Sequence, residues 1–280
     1  MPIHRRLAGA AALCLLAAAP ASAFQVEITV ENLIQEPGFS LTPVYFGFHD
    51  GGFDAFDVGA AASPELADLA EIGVFGGLAG LRQASQPGTT VGAVVASPAG
   101  PPPLEPGERS SAIVDLDPTD NRALSYFTML VPTNDTFAGN DDPTQFLLFD
   151  DQGNYNGDFD IIVTTAGLYD AGSELNDPSP TGGAAFLASA IGTEGGEENG
   201  VITQLDAAAL QEIFDAFDGL TTAAGTTVAG PTLGSAPFEI ARISVNVRPR
   251  SSSVPVPAAA PLLVGALAVF GAMRRRKPAA

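Results

Sequence analysis

The segment Val131-Pro-Thr-Asn-Asp-Thr-Phe-Ala-Gly-Asn-Asp-Asp142 gathers three carboxylates and two asparagines directly after an apolar run. Such a group has two uses. Asn and Asp side chains brace their own turns, and clustered carboxylate oxygens hold hard divalent cations. At Asp135 the residue types leave both open. A second acid-bearing segment, Gly167-Leu-Tyr-Asp-Ala-Gly-Ser-Glu-Leu-Asn176, raises the same question at Asp170 and Glu174. A third, Asp150-Asp-Gln-Gly-Asn-Tyr-Asn-Gly157, departs from the Asp-x-Asp/Asn-x-Asp/Asn-Gly order of an EF-hand loop and reads as a hairpin turn.

Other chemistries are narrowed by what is missing. Cys14 is the only cysteine, and between Phe24 and Ser253 the chain has one histidine, His49, and no Lys, Cys or Trp. Zinc sites built from several His or Cys ligands are excluded, as is a thiolate nucleophile. Gly76 to Leu81 lacks the spacing of a dinucleotide fingerprint, and no P-loop occurs. A Ser-His-Asp site would have to use His49. That residue follows an apolar stretch at a strand end and reads as structural, so no enzymatic activity is expected.

Charge points the same way. All 32 acidic residues fall between Phe24 and Ser253, against six arginines, a net charge of −26 for that part. Nucleic acid is excluded as a partner, since phosphates need a basic surface. Divalent cations suit so many carboxylates, although solubility in salt accounts for much of the charge.

Three segments follow from composition. Residues 1–23 combine His4-Arg5-Arg6, an apolar run and Ala21-Ser22-Ala23, and read as a signal peptide. Residues 24–250 form one domain. Residues 251–280 carry Val254-Pro-Val-Pro-Ala258, an apolar run to Met273 and the basic cluster Arg274 to Lys277. This order resembles the PEP-CTERM sorting signals of the Val-Pro-Leu-Pro-Ala branch. The resemblance implies an exosortase-type protease as partner and at least transient membrane insertion of the C-terminal helix. Both ends together place the domain outside the cytoplasm, anchored at the surface or released.

The elements that must position the acids are mostly strands. Phe24 to Val30 alternates apolar and polar residues, and Pro43 to His49, Val91 to Ala96, Ser110 to Leu116, Ala123 to Val131, Gln145 to Phe149, Phe159 to Thr165 and Phe238 to Val247 also read as extended. Two short helices are expected. One starts at the Ser63-Pro64 cap and ends at Gly73; the other starts at Asp206 and ends before Gly219, with Leu210, Ile213, Phe214 and Phe217 on one face. Asp170 to Asn199 reads as loop and Thr221 to Pro237 as linker. The pattern suggests an all-β fold, an antiparallel β-sandwich with long end loops.

Phe127 to Gly139 and Tyr169 to Glu174 resemble two motifs of the spondin domain of extracellular matrix proteins. Phe24 to Gly51 and Ile240 to Val247 resemble its opening and closing strands. This resemblance implies an eight-stranded antiparallel sandwich that binds calcium at one end, with Asp135, Asp170 and Glu174 as the metal ligands. It makes a calcium-binding adhesion or matrix module the leading expectation. The alternatives are a secreted carbohydrate-active or carbohydrate-binding protein, and a structural surface component without a specific ligand.

Overall fold

The computed structural model describes residues 24–96, 103–191, 195–233 and 238–248. The first and last strands, β1 (Phe24–Asn32) and β11 (Glu239–Arg248), pair antiparallel from Gln25 opposite Arg248 to Asn32 opposite Ala241. With β5 (Arg109–Leu116) and β8 (Phe159–Thr164) they form a four-stranded sheet of order β5-β1-β11-β8. The period-two pattern of β1 explains its place. Val26, Ile28 and Val30 are buried, while Glu27 and Glu31 on the other face pair with Arg248 and Arg242.

A second sheet is built from β2 (Ser40–Leu41), β3 (Val44–His49), β4 (Thr90–Val94), β6 (Ala123–Val131), β7 (Thr136–Gly139), β9 (Leu168–Asp170) and β10 (Thr203–Gln204). Its order is β10-β9-β7-β6-β3-β4, with β2 also paired to β6. Every residue of β3 and of β6 is buried. Continuous apolar runs of this kind belong to strands covered on both faces. One face, carrying Phe46, Phe48, Leu124, Tyr126 and Leu130, shares a core with Val26, Ile28, Ile243 and Val245 of the first sheet. The other, carrying Tyr45, Phe127, Phe137 and Tyr169, packs against Leu66, Leu69 and Leu78.

Those leucines lie on helices α1 (Pro64–Ile72) and α2 (Gly76–Ser85). Helix α1 carries the expected punctuation: Ser63 Oγ accepts from Leu66 N, Pro64 opens the helix, and Gly73 closes it in the left-handed region at φ 68°. Helix α2 has no side-chain cap and was not expected. Helix α3 (Ala207–Phe217) is capped by Asp206, and Leu210, Ile213, Phe214 and Phe217 enter the inter-sheet core.

The architecture is therefore mixed α/β, two open sheets with three helices, and not the all-β eight-stranded sandwich. The physical reason lies in β3 and β6. A sandwich leaves the outer face of each sheet to solvent, whereas here the outer face of the larger sheet is apolar and covered by helices. Two local expectations also change. Gln145 to Phe149 makes only isolated bridges, Ala123 with Leu147 and Phe149 with Tyr155. In the expected linker Thr221 to Pro237, Val228 is buried in the core.

No helix among the described residues is long and apolar enough to cross a membrane. The signal peptide at 1–23 and the sorting signal at 251–280 lie outside the described residues. Membrane insertion through a C-terminal helix, and the surface anchoring derived from it, therefore have no membrane-crossing helix among the described residues to support them.

Candidate metal centre

Strand β6 ends at Val131, and the chain turns through Thr133, Asn134 and Asp135 into β7. Thr133 Oγ1 donates to Leu130 O and accepts from Thr136 N, which fixes the turn. Asn134 and Asp135 are both fully buried. Asp170 reaches the same place because β9 pairs with β7, Thr136 opposite Asp170 and Phe137 opposite Tyr169. Asp135, just before β7, and Asp170, at the end of β9, thus lie at the same edge of adjacent strands, held by stacking of Phe137 on Tyr169 with ring centroids 5.4 Å apart.

Beyond Asp170 the chain curls at Gly172, whose φ is +65°. A Cβ there would fall 2.7 Å from Val201 N, so only glycine fits this close approach. The curl aims two backbone N–H groups back at Asp135. Its Oδ2 accepts from Ser173 N at 2.9 Å and Glu174 N at 3.1 Å. Asp170 Oδ1 accepts from Gly172 N at 2.8 Å, and its Oδ2 from Asn176 Nδ2 at 2.7 Å. A returning segment is tied to the curl through Glu198 N to Ser173 O and Gly200 N to Gly172 O.

That return brings Glu198 to the site. Oxygens of Asp135, Asp170 and Glu198 all lie within 4.8 Å of one another, with Asp135 buried, Asp170 half-buried and Glu198 exposed. Two oxygens on one calcium ion at ~2.4 Å stand at most ~4.8 Å apart, so the cluster has the dimensions of a coordination sphere. These three carboxylates could coordinate a divalent metal ion. Glu174 meets the centre through its backbone N–H. Its carboxylate Oε1 accepts from Gly195 N at 2.8 Å.

The electrostatics mark Asp135 as the strained member. Burial, then the Asp170 carboxylate, push its carboxyl up to about 7, against the lowering effect of the Glu174 and Ser173 N–H groups. Glu198 is also raised, by desolvation and then by Asp170. Asp135 Oδ1 is buried with no hydrogen-bond partner among the described residues. A buried acceptor left bare is costly, more so when charged. A bound cation would supply what Oδ1 lacks and reverse the mutual repulsion of the three carboxylates.

Sequence reasoning reached Asp135 and Asp170 but not Glu198, which sits among glycines and acids in a segment without periodicity. The signal that identifies it is the antiparallel bridge of Glu174 with Glu197, which is a matter of tertiary pairing. His49 is elsewhere and fully buried. Its Nδ1 accepts from Gly51 N, leaving Nε2 to donate to Ser125 Oγ. Burial, then the Arg82 charge, lower it to about 3, against Asp50. The Asp150–Gly157 segment is a turn: Asp150 Oδ1 accepts from Gln152 N and Asn154 N.

No family model and no characterised protein matches the chain. The resemblances to the spondin domain and to the PEP-CTERM sorting signal with its exosortase are thereby corrected. Neither has a family match behind it, and two open sheets with three helices do not close into the sandwich that a spondin domain requires.

Proposed function

We propose that the chain is a calcium-binding interaction module without catalytic activity. The reading is carried by Asp135, whose Oδ1 is a buried carboxylate oxygen without a hydrogen-bond partner and whose carboxylate is clustered with those of Asp170 and Glu198. Calcium fits this centre better than softer metals. Every side-chain donor is a carboxylate oxygen, and irregular loops tolerate the 6–8 oxygens that calcium takes, with carbonyls and waters completing the shell. Asp135, Asp170 and Glu198 are the proposed ligands. Glu174, the third acid singled out by sequence, stands beside them and is the competing candidate for the third position.

The non-catalytic part of the proposal rests on His49. Both of its nitrogens are engaged, with Ser125 Oγ and Gly51 N, and burial keeps it neutral at physiological pH. The interaction role rests on a cleft of about 700 Å³ between α1 and the curl, lined in part by Asp68, Glu71, Gly172 and Glu174. A cation that fastens the curl also fixes that wall. Thermal unfolding of the full chain, stripped with EDTA and titrated with calcium, tests the reading. A saturable rise in Tm in wild type, absent in Asp135→Asn, is expected, because a ligand specific to the folded state stabilises it. An equal response in both proteins would make Asp135 a turn residue only.

A further inference from the structure

The outer face of the four-stranded sheet carries a polar lattice set by strand register. In one row Arg109, Glu31, Arg242 and Ile162 stand side by side across β5, β1, β11 and β8. In the next row stand Ser111, Thr29, Ser244 and Asp160. Both rows lie on the face opposite the buried Val26, Ile28 and Val30. Thr29 is only 6% exposed on this solvent side. It belongs to the floor of a groove of about 330 Å³ lined by Thr29, Glu31, Arg109, Asp160, Arg242 and Ser244.

Charge sets this face apart. Arg82 is buried and Arg122 pairs with Asp151, whereas the other arginines among the described residues, Arg109, Arg242 and Arg248, all stand here. They share the face with Glu27, Glu31, Asp115 and Asp160, so it is near balance in a stretch that carries −26 from residue 24 to 253. Arg242 pairs with Glu31 and Arg248 with Glu27. Arg109 is exposed and makes no ion pair among the described residues. Hydrogen-bond donors and acceptors thus alternate on a grid with little net charge. A polyanion is turned away by the rest of the molecule. An apolar partner finds only Ile113 and Ile162 exposed, on the two outermost strands. A chain of hydroxyls, each both donor and acceptor, matches the grid.

We propose that this face binds a neutral linear glycan laid across its strands. Neighbouring strands stand ~4.8 Å apart, about the advance of one pyranose unit, so successive sugars meet successive strands. The planar Arg109 fork and the Glu31 and Asp160 carboxylates bridge vicinal hydroxyls, one side donating and the other accepting. Thr29 and Ser244 take single hydroxyls from the floor, and Ile162 supports the apolar face of a ring. The site is independent of the calcium reading, since β5, β1, β11 and β8 carry none of Asp135, Asp170 and Glu198.

The test is calorimetric titration of the EDTA-treated full chain with cellohexaose, mannohexaose and xylohexaose, with polygalacturonate as the anionic comparison. Saturable binding of at least one neutral hexasaccharide is expected in wild type. Arg109→Ala should weaken it about tenfold, the size of one lost charge-assisted hydrogen bond. Asp160→Ala should weaken it likewise, and Arg122→Ala, outside the groove, should leave it unchanged. Arg109 is exposed and unpaired among the described residues, so its truncation spares the fold. No saturable binding of any of the three glycans, equal affinity in wild type and Arg109→Ala, or binding confined to polygalacturonate each overturn the proposal. Association of two copies in sedimentation, lost in Arg109→Ala with no glycan bound, overturns it in favour of a protein partner.

Discussion

Two buried charge sites flank one aromatic cluster, and they are opposites. At one end Asp135, Asp170 and Glu198 bring together three acids. At the other the Arg82 guanidinium is buried against the Tyr45 hydroxyl and under the Phe53 ring, with no carboxylate paired to it. Tyr45, Phe56, Phe127, Phe137 and Tyr169 belong to the same core cluster between the larger sheet and the helices. Phe56 contacts Phe127, Phe137 and Tyr169 edge-on at centroid distances of 6.0, 5.3 and 4.9 Å. The difference teaches how a fold tolerates strain. The acids can lower their cost by taking up a proton or a cation. The guanidinium has no such escape and depends wholly on what faces it.

The largest expected effect comes from the shared cluster. Phe137→Ala should cost about 3–5 kcal/mol of stability, the usual range for truncating a buried aromatic. It should also weaken the calcium response, because Phe137 stacks on Tyr169 between the two aspartates. An undiminished calcium response would show that the acidic site is positioned by its strands alone, independently of the aromatic core. Chemical denaturation with and without calcium separates the outcomes.

Protonation separates the two sites next. Folding raises the Asp135 carboxyl from 3.8 to about 7, so the cation-free folded state holds a proton that the unfolded chain releases. That stabilisation is present below pH ~4 and is lost as pH rises through about 7, by up to ~4 kcal/mol. His49 works in the opposite direction. Its folded value near 3 lies below the ordinary 6.5, so its contribution is lost as pH falls from about 6.5. The Asp135 part is therefore read as the difference between wild type and Asp135→Asn. In EDTA the variant should gain on wild type between pH 5 and 8; saturating calcium should reverse the order. Parallel curves in EDTA would refute the buried carboxylate as a strained group.

Smaller effects sharpen the ligand set. Glu198→Gln should raise the calcium Kd on the order of tenfold, since ligand charge tunes affinity. Glu174→Gln should do less, because Oε1 is engaged with Gly195 N and an amide oxygen can accept the same bond. The reverse ranking would return the third position to Glu174. The smallest is Ser63→Ala. Losing the α1 cap should cost about 1 kcal/mol and leave the calcium Kd unchanged, since α1 covers the aromatic cluster without contributing a ligand.

Legibility followed the same division. Helix α1 was readable to the residue because Ser63, Pro64 and Gly73 are local signals, and β6 because its apolar run begins at Ala123 and stops at Pro132. Asp135 and Asp170 were singled out as acids in loops that follow apolar strands, and were joined as ligands only by the spondin resemblance. Helix α2 was not. Gly76, Gly77 and Gly80 disfavour helix, and Phe75 offers no side-chain cap; Leu78 and Arg82 hold it by tertiary burial. The helical cover also decided the fold class. The two-faced apolar runs of β3 and β6 signalled it, but only once read as strands without a solvent side. Glu198 and the burial of Arg82 had no local signature, since a surface acid and an interior arginine look alike in a sequence without partners.

The most direct test of the central claim is calorimetric titration of calcium into the EDTA-treated full chain at pH 8, where Asp135 is ionised. The account predicts saturable binding of one calcium per chain, abolished in Asp135→Asn and retained in Arg82→Met. Binding of the same stoichiometry and affinity in Asp135→Asn, or no saturable binding in wild type, would contradict it.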